Sequence, residues 1–227
     1  MKIAVITLFP EMFTALTDQG VLSKAFANQQ VELSFINPRD FATDTHRTVD
    51  DRPFGGGPGM VMMAEPLAQA TEAAKANLPN APVIYCSPQG KPFQQATAEQ
   101  MATQAEFIFI CGRYEGVDER FIDSFVDIEL SLGDFVLTGG ELAAMSMLDA
   151  VIRLIPGVLG HDDSAAQDSF SAGLLDCPHY TRPEEWRGQK VPEILLSGHH
   201  ANIEKWRAEQ AKSATQKKRK DLLDSSS

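Results

Sequence analysis

The sequence has 227 residues, about one and a half times the ~150-residue single-domain prior, with 43% hydrophobic and 22% charged residues. Those are ordinary globular values, which exclude a disordered or collagen-like chain and leave ample material for a buried core. A formal net charge of −11 excludes indiscriminate adhesion to nucleic acid. The most apolar window, 135–160, is interrupted by Glu141, Asp149 and Arg153, too soon for the ~18 uninterrupted apolar residues of a membrane span.

In chain order, the first apolar run is 2–8 (KIAVITL). It is short, Pro10-Glu11 follows it, and no small-residue cleavage pattern appears, so it reads as a first strand rather than a signal peptide. Runs at 31–36, 83–86, 107–111 and 125–130 also read as strands, rich in Val, Ile and Phe. Helix-like stretches lie between them, at 11–18, 22–28, 65–77 and 95–104. Several strands are almost continuously apolar, as expected when helices cover both faces of a parallel sheet. Leu142, Met145, Leu148, Ile152 and Ile155 mark one face of a longer helix, which starts after Gly139-Gly140 and stops at Pro156-Gly157. The fold class is α/β.

The texture changes after residue 160. Residues 161–173 (HDDSAAQDSFSAG) are small, polar and acidic, with neither period, and read as an interdomain linker or mobile loop. A small, mostly helical second domain is expected over 174–227, with Ile203, Trp206 and Gln210 on one face of an amphipathic helix. Charge is divided unevenly. Residues 1–160 carry 10 Lys and Arg against 20 Asp and Glu, while residues 178–220 carry 10 against 5. A basic segment on an acidic body can contact phosphates locally while the body discourages unspecific adhesion, although a solvated helical surface has the same composition. The tail at 225–227 is too short to interpret.

Three cysteines, Cys86, Cys111 and Cys177, form no CxxC pair, which fits a reducing cytoplasm and packed thiols better than a disulfide framework or zinc ribbon. The usual nucleotide fingerprints fail: 55–60 (GGGPGM) is not GxGxxG, no strand run ends into it, and Gly90-Lys91-Pro92 lacks the Walker pattern. The five histidines form no HExxH, no GxSxG elbow is present, and no spacing marks a metal site. What remains is a set of glycine-containing loops at strand ends: 85–90, 111–118 and 131–141. Ligands of parallel sheets sit beyond the carboxyl ends of strands, where glycine lets backbone groups approach closely. One pocket built from backbone and three ordinary βα turns both fit this pattern.

The strings CGRYEGVDER, SLGDFVLTGGELAAM, RPFGGGPGMVM and DSFSAGLLDCPHYTRPEEWRG, continuing through VPEILLSGHHANIEKWR, are long and unusual. In collinear order from Met1 to about Leu223, the chain resembles the bacterial tRNA (guanine-N1)-methyltransferase family, the TrmD type. The resemblance implies a SPOUT-class fold: a parallel sheet with a deep trefoil knot over 1–160, holding S-adenosylmethionine, and a small helical tRNA-binding domain after the linker. It implies methylation of N1 of the guanine immediately 3′ of the anticodon. The implied partners are tRNA and a second copy of the chain, with no DNA and no membrane, in the cytoplasm; magnesium is a second cofactor that the resemblance raises. A methyltransferase of the same class for another RNA site, or an RNA-binding module that kept only the fold, are the rival readings.

By the same resemblance, Tyr85 and Pro88 lie over the adenine of the donor. Gly112, Tyr114, Glu115 and Gly116 form its floor, and Leu132, Gly133, Asp134, Phe135, Val136, Leu137, Gly139 and Gly140 its wall. Asp168 matches the family's general base and Arg153 its catalytic arginine. The chemistry explains those types: a carboxylate takes the N1 proton of guanine, and a guanidinium stabilises the charge that builds toward O6. No nucleophilic residue is needed. His179, Tyr180, Arg182, Trp186, Lys190 and Arg207 are candidates for tRNA contact, being basic or aromatic groups suited to phosphates and splayed bases; core packing is the competing account of Trp186 and Trp206. Relatives continue past the segment corresponding to KKRKDLL with a further helical stretch, so part of the RNA-binding surface is expected to be absent or rearranged.

Overall fold

A computed structural model describes residues 1–160 and 168–224. The chain divides into two compact units, Met1–Leu159 and Gly160–Ser227. Of the predicted linker, 161–167 lies outside the described residues, as does the tail at 225–227. Among the described residues, no helix is long and apolar enough to cross a membrane.

Along the first unit come β1 (Lys2–Ile6), β2 (Glu32–Ile36), two very short strands, β3 (Asp50–Asp51) and β4 (Val61–Met62), then β5 (Val83–Pro92), β6 (Glu106–Cys111) and β7 (Ile128–Ser131). Five of them make one parallel sheet in the order β2-β1-β6-β5-β7. Helices α1 (Thr14–Thr17) and α2 (Ser23–Ala27) link β1 to β2, α3 (Ala64–Asn77) precedes β5, and α4 (Gln95–Ala102) follows it. Helix α5 (Glu119–Phe125) joins β6 to β7, and α6 (Glu141–Ile152) closes the unit.

The near-continuous apolar runs have a simple physical cause. Successive strand side chains point to opposite faces, and both faces here are covered. Ile3 and Val5 of β1 join Phe107 and Phe109 of β6 in one buried cluster, with Met147, Leu148 and Val151 of α6. Ala4 and Ile6 join Ile108 and Ile110 in the other, with Leu67, Ala70 and Ala74 of α3 and Phe121 of α5. Edge strand β2 shows the contrast, since none of its five residues is fully buried.

Three elements depart from the sequence reading. The run 125–130 is not one strand: Phe125 ends α5 and pairing begins at Ile128. The Asp118 carboxylate caps α5 by accepting from the Arg120 N–H, and Phe121 stacks on Phe125 one turn later with ring centroids 5.3 Å apart. Strand β5 does not stop at Cys86; its pairing with β7 breaks there and resumes at Lys91↔Leu130, so Ser87, Pro88, Gln89 and Gly90 bulge out of the ladder. The glycine run 55–60 does have a strand leading into it, because β3 and β4 pair as Asp50↔Met62 and Asp51↔Val61.

In the second unit, backbone turns over 168–174 are held by the Phe170 N–H donating to Leu174 O at 2.7 Å and Gly173 N–H to Phe170 O at 3.0 Å. A small hairpin pairs β8 (Glu185–Trp186) with β9 (Gln189–Lys190). Its two-residue loop, Arg187-Gly188, has φ of 52° and 79°, the left-handed pair that matches strand twist. Then come α7 (Glu193–Leu196), α8 (His200–Lys218) and α9 (Asp221–Asp224). On α8, Ile203, Trp206 and Gln210 are half-buried at helical spacing, and buried Thr215 accepts the Leu175 N–H at 2.9 Å.

Phe109, fully buried at the sheet centre, supplies a stability test. Phe109→Ala is expected to lower the unfolding free energy by ~3–5 kcal/mol in urea titration; a loss below about 1 kcal/mol contradicts the packing described.

Candidate functional site

Tyr85, Cys86 and the bulge inside β5, with the loops after β6 and β7, converge on one cavity at the carboxyl edge of the sheet. Of the residues expected to hold a donor, Tyr85, Pro88, Gly112, Tyr114, Glu115, Gly116, Leu132, Gly133, Phe135, Val136, Leu137, Gly139 and Gly140 all line it. Asp134 does not. The Phe135 N–H donates to Gly133 O at 2.9 Å, a tight three-residue turn, and Asp134 at its centre is exposed.

The walls touch through backbone. The Gly140 N–H donates to Gly112 O at 2.9 Å, and Arg113 bridges Gly139. A Cβ on Gly140 would stand 2.8 Å from the Cys111 Cα, so any larger residue forces the two loops apart. The Tyr85 ring lies on Gly112, where a Cβ would come within 2.9 Å of it. Burial, then the neighbouring Glu129, Cys86 and Glu119, push the Tyr85 hydroxyl up to about 12, so it remains a neutral phenol at any working pH. Burial and a hydrogen bond to Asp50 also raise Tyr114, held at φ 61°.

Sequence reasoning missed the pair beneath this cavity. Glu141, the first residue of α6, is fully buried, with Oε2 2.9 Å from Arg113 Nε. The contact is electrostatic and off the hydrogen-bond axis. The Thr7 hydroxyl, just past β1, donates to Glu141 Oε1 at 2.8 Å. Arg113 also lies over the Phe9 ring, 4.4 Å from its centroid, and donates from Nη1 to Thr138 O at 3.3 Å. Arg113 lines the cavity, as do Ser87, Gln89, Glu119 and Glu129. Both members of the pair lie inside the strings CGRYEGVDER and GGELAAM, but a pairing across 28 positions leaves no local mark.

Neither catalytic candidate is among the residues that line this cavity. Arg153 of the first unit follows α6, its N–H donating to Asp149 O at 3.2 Å, and it does not line the cavity. Asp168 lies in the second unit, in the turn where its carbonyl accepts the Ser171 N–H at 3.3 Å.

Within the second unit, His179, Tyr180, Arg182 and Arg207 line a separate cavity with Glu184 and an apolar floor of Val191, Leu195, Leu196 and Ile203. Trp186 and Lys190 do not line it; they lie on the β8–β9 hairpin, with Arg187 over the Trp186 ring and Lys190 3.9 Å from Glu185. Ligand atoms of Asp176, Cys177 and His179 lie within 4.8 Å of one another, the one grouping of three metal-competent side chains among the described residues. A thiol, an imidazole and a carboxylate suit a borderline ion rather than magnesium.

The buried pair yields a measurable contrast. Glu141→Gln leaves Arg113 without its counter-charge and is expected to cost ~3–5 kcal/mol of stability by urea denaturation. Glu32→Gln, removing the exposed Lys2–Glu32 pair at 3.9 Å, should stay within about 1 kcal/mol. Equal effects would contradict the assignment of Glu141 as the buried tie.

The family described as tRNA (Guanine-1)-methyltransferase TrmD matches residues 1–225. A tRNA (guanine-N(1)-)-methyltransferase from Marinomonas sp. (strain MWYL1) is 58% identical over 223 residues, covering 98% of this chain and 89% of the relative. One of the same name from Janthinobacterium sp. (strain Marseille) is 57% identical over 228 residues, covering 98% and 92%. Another, from Pseudomonas fluorescens (strain SBW25), is 56% identical over 228 residues, covering 100% and 91%. Matched at this level along nearly its whole length, the chain belongs to the tRNA (guanine-N1)-methyltransferase family of the TrmD type.

Proposed function

We propose that the protein is an S-adenosylmethionine-dependent enzyme of the cytoplasm that methylates N1 of the guanine immediately 3′ of the tRNA anticodon, working as a homodimer. The observation that carries this reading is the convergence of three strand-end loops, in a member of this family, on one backbone-lined cavity.

The cavity residues fit the donor. Gly112 and Gly140 line the cavity and leave no space for a Cβ, so backbone rather than side chain forms the wall there, as a bent nucleoside needs. Tyr85 and Pro88 hold the adenine side, with Tyr85 as a neutral hydrogen-bonding phenol. Glu115, an exposed residue of the lining, supplies a carboxylate for a cationic ligand. When bound, S-adenosylmethionine supplies a methyl group already activated on a positively charged sulfur. The interlocking of the 112–116 loop with Gly139 and Gly140 supports a knotted passage of the chain at this edge. Magnesium finds no cluster of three oxygen donors among the described residues. As a hard ion it is commonly held by one or two carboxylates with substrate oxygens, and Glu115, Glu119 and Glu129 are the acids lining the cavity.

Asp168 accepts the N1 proton of guanine, and the Arg153 guanidinium stabilises the charge that develops on O6. Helix geometry bears on whose cavity Arg153 serves. It stands thirteen residues beyond Gly140, a rise of ~20 Å along α6, more than its side chain spans. On this reading Arg153 serves the donor site of the other subunit, and Asp168 is assigned to act there with it. In the second unit, His179, Tyr180, Arg182 and Arg207, with Trp186 and Lys190 on the adjoining hairpin, hold the tRNA through phosphates and stacked bases.

Transfer of labelled methyl to unmodified tRNA, with the guanine replaced at and beside the target, tests the reaction. Asp168→Ala is expected to lower transfer by ~10²–10⁴-fold while leaving donor affinity within twofold by titration calorimetry. Normal turnover removes Asp168 from the role; transfer that persists after the target guanine is replaced removes the proposed substrate.

A further inference from the structure

The hairpin of β3 and β4 has no part in the roles assigned so far. We infer that Phe54, at its tip, is a stacking platform for a nucleobase of the RNA beside the methylated guanine, an inference that rests on the proposed RNA substrate.

Phe54 is 100% exposed, the most solvent-open large apolar side chain among the described residues. Its neighbours Gly55, Gly56 and Gly57 have φ of 86°, 79° and 128°, and a Cβ on any of them would meet nothing within 4 Å. The tip thus projects into solvent on a backbone free to adjust. Its base is fixed: β3 pairs with β4, the Met63 N–H donates to Val49 O at 2.8 Å, and Met62 is fully buried. An aromatic ring on an adjustable tip above an anchored base can meet a flat ligand without unfolding its support.

That base is continuous with the floor of the donor cavity. The Glu115 N–H donates to Met60 O at 2.9 Å, and the Met62 N–H donates to Gly116 O at 2.9 Å. Gly59 lies so close to the Glu115 side chain that a Cβ would fall 2.3 Å from its Oε1. A group on Phe54 is therefore held by the same backbone that forms the floor beneath the methyl donor. Exposed Arg52, two residues before Phe54, supplies a cation for the phosphate that accompanies a base.

The chemistry selects a nucleobase over a protein partner. One exposed ring between Pro53 and a run of glycines offers an open π-surface, not the broad apolar patch of a protein interface. Stacking suits it because every base has such a face.

The test uses the full chain with an unmodified tRNA transcript and a fluorescently labelled anticodon stem-loop. Phe54→Ala is expected to raise KM for tRNA and Kd for the stem-loop by about ten- to hundredfold, with donor affinity and melting temperature unchanged. Phe54→Tyr restores both to within about threefold, whereas Phe54→Leu, apolar without a π-face, does not. Removing the base next to the target guanine abolishes the difference between wild type and Phe54→Ala. Equal values for wild type and Phe54→Ala overturn the inference. So does full rescue by Leu, or a weakened dimer in sedimentation, which would make Phe54 a contact to a second copy. If wild type methylates no tRNA, the proposed function fails separately, and the stem-loop arm still decides whether Phe54 holds a base.

Discussion

A carboxylate with no access to water organises the carboxyl edge of the sheet. Glu141 takes a hydrogen bond from Thr7 beyond β1, meets Arg113 beyond β6, and stands in the first turn of α6. Such a charge is tolerated only when paired and hydrogen-bonded, and the N-terminal end of a helix favours it further. Three chain segments far apart in sequence must therefore meet at one point. Gly112 and Gly140 sit immediately beside its two charged members, so the spacing of the cavity walls is set from beneath by this contact.

The sheet was legible because burial on both faces writes itself into composition: Ile108, Phe109 and Ile110 leave no polar position to interrupt the run. Loops after those strands were legible as glycine-rich turns, but one pocket and three turns look alike in sequence. The Gly140–Gly112 hydrogen bond, the Arg113–Gly139 bridge and the Tyr85 ring against Gly112 make them one wall. Helix α5 was read partly as strand because Phe125 and Val126 continue an apolar run, and the deciding features, the Asp118 cap and the Phe121–Phe125 stack, are specified by spacing rather than by apolar content. The β3–β4 pair was illegible for another reason: Asp50 and Asp51 have low strand propensity and are held by pairing to Val61 and Met62. Asp168 and Arg153 carry no local signal at all; among acids and cations of the same type, only the resemblance of the whole chain to the family singles them out.

Helix α6 gives the division of labour a physical scale. Its first turn closes the cavity and its last turn leads to Arg153, so one rigid rod separates a group that shapes the site from a group proposed to act on the substrate. Rigidity at this length depends on the apolar face of α6, where Met147, Leu148, Val151 and Ile152 are all fully buried. Asp168, the proposed base, stands instead among hydrogen-bonded turns over 168–174, in the second unit.

Charge in the cavity follows from the same burial. Cys86 is pushed up to about 12 and Cys111 well above its ordinary value, both chiefly by burial, and Tyr85 joins them as a neutral group. Arg113 and Glu141 cancel one another at close range. The unbalanced charges left around the lining are those of exposed Glu115 and Glu119 and half-buried Glu129, so the field in the cleft is negative. A pocket of that sign favours a cation such as a sulfonium over its neutral thioether counterpart, because loss of the positive charge removes the attraction without changing the shape.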